Sequence, residues 1–86
     1  MFDNIDLSHY HMASLDQYRR DFSAHPAEEL ERTWLETFLI RTDYQIAKAA
    51  EQTILGNPVA EGVKSLIMAR QEARNRINEL QRKETK

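Results

Sequence analysis

The chain contains no cysteine among its 86 residues. That excludes disulfide staples and thiolate metal sites, and leaves a small core to stabilise the fold unaided. A domain of this size buries only about 60% of the surface its unfolded chain exposes, so association with a second chain is an expected route to stability. With two glycines and two prolines, the sequence is poor in tight-turn residues, and each proline falls where a helix ought to begin. This scarcity favours long helices over strands. No apolar run approaches the roughly 20 residues of a membrane span, and the acidic N-terminus lacks the basic-then-apolar layout of a signal peptide. The expectation is a soluble, unprocessed chain that does not engage a membrane.

An excess of basic charge is also missing. The formal net charge of −2 conceals a gradient, with residues 1–25 summing to −2, residues 26–56 to −3 and residues 57–86 to +3. Arg70, Arg74, Arg76, Arg82 and Lys83 could track phosphates, but Glu72 and Glu79 interrupt them and no aromatics interleave with them to stack on bases. No nucleic-acid partner is expected. The sequence likewise has no glycine-rich phosphate loop, no nucleophile with a neighbouring base, and no helix-spaced carboxylate and histidine cluster. Neither an enzyme nor a cofactor is expected. His9-Tyr10-His11, if extended, would project both imidazoles to one side, with His25 as a third ligand. Nothing in the sequence fixes a fourth ligand, so these are read as exposed or partly packed histidines, with no metal.

What is present is helical periodicity. Residues 1–13 show no period, and mix Asp3, Asn4, Asp6 and Ser8 with Phe2, Ile5 and Leu7, as an irregular arm that docks its apolar residues elsewhere. Ser14 and Gln17 have the spacing of a capping box, opening a short helix from Leu15 to about Phe22 with Leu15, Tyr18 and Phe22 on one face. Pro26 suits the first position of a second helix, with Glu28, Glu29 and Glu31 favourably placed near its N-terminal dipole. No breaker follows until Gly56, which predicts a helix over 26–55 of roughly 45 Å. Leu35, Leu39, Thr42, Ile46, Ala49 and Thr53, in steps of four and three, form its inner stripe, widened by Phe38 and Ala50. Trp34, Ile40, Tyr44, Ile54 and Leu55 lie off that stripe, so one packing partner cannot cover the helix.

Gly56-Asn57-Pro58 closes this helix and opens the next, with Gly in the left-handed position, Asn as cap and Pro in the first turn. The third helix is predicted over 58–82, with Val59, Val63, Leu66, Arg70, Ala73, Ile77 and Leu80 as its seam. So short a connection makes the two helices antiparallel neighbours. Residues whose numbers sum to about 113 or 114 then face each other: Asp43 near Arg70, Leu39 near Arg74, Trp34 near Leu80. A charge on an apolar seam needs a partner, and Asp43 is expected to pair with Arg70 or Arg74. The acidic start of the second helix also comes alongside Arg74, Arg76, Arg82 and Lys83. The whole is an all-α fold, with residues 1–25 as arm and short helix and 26–86 as an antiparallel helical hairpin within one domain. Residues 83–86 are expected to fray.

Thr42-Asp43-Tyr44, then Lys48, Glu51, Arg70, Arg74 and Ile77-Asn78-Glu79-Leu80, resembles a helical segment of phage- and prophage-encoded proteins, many of them associated with tails or tail fibres. The resemblance covers roughly residues 34–82. It implies a structural helical hairpin, located in the host cytoplasm or the virion, that acts in tail structure or assembly. A small phage-encoded inhibitor that blocks a host enzyme or defence complex is the alternative. Ile40, Tyr44, Leu55 and Met68 fall away from the hairpin seam and are the expected interaction surface, for a second copy of the chain in a homo-oligomer such as a dimer or for another phage or host protein.

Overall fold

The computed structural model describes residues 5–84, so Phe2, Asp3 and Asn4 of the expected arm and Thr85 and Lys86 of the expected fraying end lie outside the described residues. The fold is all-α, and no strand occurs among the described residues. A 3₁₀ turn over Leu7–Tyr10 precedes α1 (Leu15–Asp21), α2 (Ala27–Ile54) and α3 (Glu61–Glu84). Helices α2 and α3 form an antiparallel hairpin, and the arm and α1 lie across it. The result is a slab with extents of 47 × 29 × 18 Å. Its radius of gyration of 14.6 Å exceeds the roughly 12 Å of a compact chain of this length.

The core is the seam between α2 and α3, closed by the arm. Leu35 and Phe38 of α2 meet Leu66, Ala69, Ala73, Ile77 and Leu80 of α3 in one buried cluster. Five of the seven expected α3 seam residues, Leu66, Arg70, Ala73, Ile77 and Leu80, are buried, and Val59 and Val63 are half-buried. Trp34, off the expected stripe, is also buried. The arm explains why: Ile5, Leu7, Tyr10, Met12, Leu15 and Tyr18 pack against the cluster, and Trp34 Nε1 donates to the Ala13 carbonyl at 2.9 Å. Ala50 and Thr53 of the expected stripe are exposed.

Three local details depart from the sequence expectation. Ser14 caps α1 by accepting from the Gln17 amide, but the Gln17 side chain turns outward, donating to Asp21 and accepting from Arg20. Only half of the capping box forms. Pro26 is the N-cap of α2 rather than its first residue; its ψ of 136° is extended, and its carbonyl accepts the Leu30 amide. The third helix starts at Glu61, not Pro58. Gly56 does take the left-handed conformation, at φ 89°. However, the amides of Gly56 and Asn57 then bond back to the Thr53 and Gln52 carbonyls in a Schellman motif. Asn57 is thereby committed to closing α2, and its side chain donates to Gln52. The residue before a proline is also driven away from helical geometry. The chain therefore crosses to α3 with Val59 half-buried, and the Ala60 carbonyl accepts the first amides of the helix.

The glycines give a paired test. Gly56→Ala forces a side chain into the left-handed region and should lower the unfolding free energy by about 1 kcal/mol. Gly62, inside α3 with nothing within 4 Å of an added Cβ, should gain about 0.5 kcal/mol as Ala. Denaturant titration of the two variants beside the parent checks both signs.

Candidate functional site

Arg70 sits on the buried side of α3 with only 6% of its surface exposed. A guanidinium there needs acceptors, and α2 supplies three from successive turns. Nη1 donates to the Leu39 carbonyl at 2.7 Å and to Thr42 Oγ1 at 2.5 Å, and Nη2 donates to Asp43 at 2.7 Å. The Thr42 hydroxyl, itself fully buried, donates its own hydrogen bond to the Phe38 carbonyl at 2.8 Å. Asp43 was expected to pair with Arg70 or Arg74, and it is Arg70 that takes it; Arg74 is exposed, and it is the Arg70 guanidinium that reaches Leu39. The Asp43 side chain remains 68% exposed at the rim, so the ion pair faces water on one side.

A second cluster ties all three helices together, and its centre is Glu31. Glu31 accepts from Arg76 Nε at 2.8 Å and Nη2 at 3.0 Å in a two-pronged clasp from α3, and from Arg19 of α1 at 3.4 Å. Arg76 also donates to Glu79, and Lys83 approaches Glu28 at 3.7 Å. These contacts realise the charge gradient as complementarity across the hairpin. The Arg76 clasp, with the charges of Arg76, Arg19 and Lys83, holds the Glu31 carboxyl below its ordinary range against the opposing effect of burial. Nothing in linear spacing identifies Glu31 as the hub, because its partners lie 12 and 45 residues away.

The third feature is the outer side of α2. With α3 on one side and the arm on another, Ile40, Tyr44, Ile54 and Leu55 are left 70–84% exposed. Ile40 and Tyr44 of the expected surface share this helix, and Leu55 is its C-cap. Met68, 67% exposed, stands on α3, about 160° round that helix from Arg70, so it belongs to a different side of the slab. The histidines do not form the extended pair considered for a metal. His9 lies in the 3₁₀ turn, edge-on to Tyr10 at 5.0 Å, while His11 ends the turn at φ 58° and His25 stands near Phe22. Among the described residues no cluster able to hold a metal ion occurs, and no helix is long and apolar enough to cross a membrane.

Two outcomes follow from the polar clusters. Arg70→Ala leaves a cavity and unpaired acceptors and should cost about 3 kcal/mol, whereas Arg70→Met fills the space without a charge and should cost about 1 kcal/mol or less. Asp43→Asn, at the solvated rim, should also cost about 1 kcal/mol or less. Equal losses for the Ala and Met variants in urea unfolding would refute this description of the seam. The lowered carboxyl of Glu31 contributes stability that is present above its unfolded value near 4.5 and lost as pH falls through the lower folded value. Thermal melts between pH 6 and pH 3 should therefore show a decline that Glu31→Gln flattens, with that variant less stable by about 1.5 kcal/mol at pH 6. Comparison with known proteins yields nothing to set beside this geometry: no family model, no curated protein and no solved structure matches the chain.

Proposed function

We propose that this chain is a non-enzymatic helical interaction protein of phage or prophage origin, acting in tail structure or assembly. The observation that carries the association part of this reading is the outer side of α2. A chain of 86 residues leaves Ile40, Tyr44, Ile54 and Leu55 largely exposed along one helix, after two other sides of that helix are already covered. Apolar groups concentrated in this way mark interaction sites on small proteins. Four charged groups of the hairpin have structural occupations: Asp43 and Arg70 brace the seam, and Glu31 and Arg76 join the helices. The tail assignment rests on the resemblance of the pattern from Thr42 to Leu80 to tail-associated helical segments. Under this reading the chain works in the host cytoplasm or the virion.

The test is the company the chain keeps. An affinity-tagged copy isolated from cells producing the phage should bring down tail components in fixed ratio, and a variant with Ile40→Asp and Tyr44→Asp should bring down at least tenfold less. Recovery of a host nuclease, polymerase or defence complex alone would replace tail assembly with inhibition. Turnover of a defined small molecule would overturn the non-enzymatic reading.

A further inference from the structure

The outer side of α2 has more order than a scatter of apolar residues. Ile40, Tyr44, Ala47, Glu51 and Ile54 follow steps of four, three, four and three, the spacing by which one helix presents a continuous seam to another. All five are exposed, as are Lys48 and Leu55 beside them. Lys48 and Glu51 also make no ion pair or side-chain hydrogen bond to any described residue. An apolar row thus carries one unpaired cation and one unpaired anion near its middle.

We infer that this row is the interface of a two-fold symmetric homodimer, in which the α2 helices of two copies pair antiparallel about Ala47. This rests on the reading of the chain as an association protein and names its partner as a second copy. Charge decides the orientation. A parallel pairing would set Glu51 against Glu51 and Lys48 against Lys48, which is repulsive. The antiparallel pairing sets Tyr44 within one residue of the level of Glu51 of the second copy, where the phenol hydroxyl can donate to the carboxylate. Lys48 then lies about 7.5 Å along the axis from the same carboxylate, a gap that its long side chain can span. Ile40 faces Ile54 and Leu55, and the small Ala47 lies at the axis, where two backbones must approach most closely. Because of the two-fold, each of these contacts occurs twice in the dimer.

The absence of cysteine makes the test clean. Sedimentation equilibrium of the parent chain from about 1 to 100 μM should give a dimer, in the affinity range expected where contacts are few. Ala47→Cys should oxidise to a disulfide-linked dimer at low micromolar concentration, and Met68→Cys should not. Lys48→Glu and Glu51→Lys should each weaken the dimer about tenfold, and an equimolar mixture of the two variants should recover it, since each supplies the charge the other lacks. That rescue cannot come from a fold defect in either variant. A single-chain mass for the parent across the whole range would overturn the dimer, and the association reading would then be judged by the tail-component isolation alone. A dimer in which Ala47→Cys fails to cross-link and the charge variants have no effect would place self-association elsewhere, overturning this interface while sparing the broader reading.

Discussion

The fold depends on how one buried cation is satisfied. Arg70 occupies a seam position on α3 that the 4–3 spacing would otherwise give to an apolar residue. Its guanidinium is accommodated only because α2 brings the Leu39 carbonyl, the Thr42 hydroxyl and the Asp43 carboxylate to one point. An all-apolar seam of this spacing tolerates a slip of one heptad, about 10 Å along the helix, with modest loss of contact. With Arg70 in place, the same slip would bury an uncompensated charge. The cation therefore selects one register more than it adds net stability. Glu31 repeats the device at the other end of the hairpin, where the clasp from Arg76 fixes α3 and the contact from Arg19 draws in α1.

Register in turn determines what α2 has left over. A helix of 28 residues in so small a protein presents several sides, and two of this one's are covered within the chain. One packs on α3 through Leu35 and Phe38, and another takes the arm, with Trp34 donating to Ala13. The third carries Ile40, Tyr44 and Ile54 into solvent. No described residue covers that side, since the segment after Ile54 turns back at Gly56 and leads into α3. A small core with a surplus apolar side is the arrangement in which a partner supplies stability and function together.

Much of this was legible in the residues, for identifiable reasons. Helix pairing followed from Gly56 and the two apolar stripes, since glycine after a long periodic run has few other uses. The contact of Asp43 with Arg70 followed from that turn and the register it implies. The start of α3 did not, because Pro58 is equally suited to a helix's first turn and to the extended passage that precedes Glu61. Trp34 was placed off the main stripe yet beside Leu80 by the hairpin register, and both lie in the core cluster; its cover by an arm without periodicity was not visible. Glu31 was read as a favourable charge near a helix N-terminus; its role as hub requires Arg19 and Arg76 to arrive from two other helices. Both omissions concern contacts that only the tertiary fold creates. The outer row was visible as individual residues, and the structure adds which of them share one side and that Met68 is not among them.

The most direct test of the central claim is a double-mutant cycle between Arg70→Met and Thr42→Val, read by urea unfolding. If the seam is organised around the buried cation, Thr42→Val should be costly only while the guanidinium is present to lose its acceptor. The account predicts a coupling energy of at least about 1 kcal/mol between the two positions. Costs that add to within about 0.3 kcal/mol would mean that Thr42 and Arg70 act independently, and would contradict the claim.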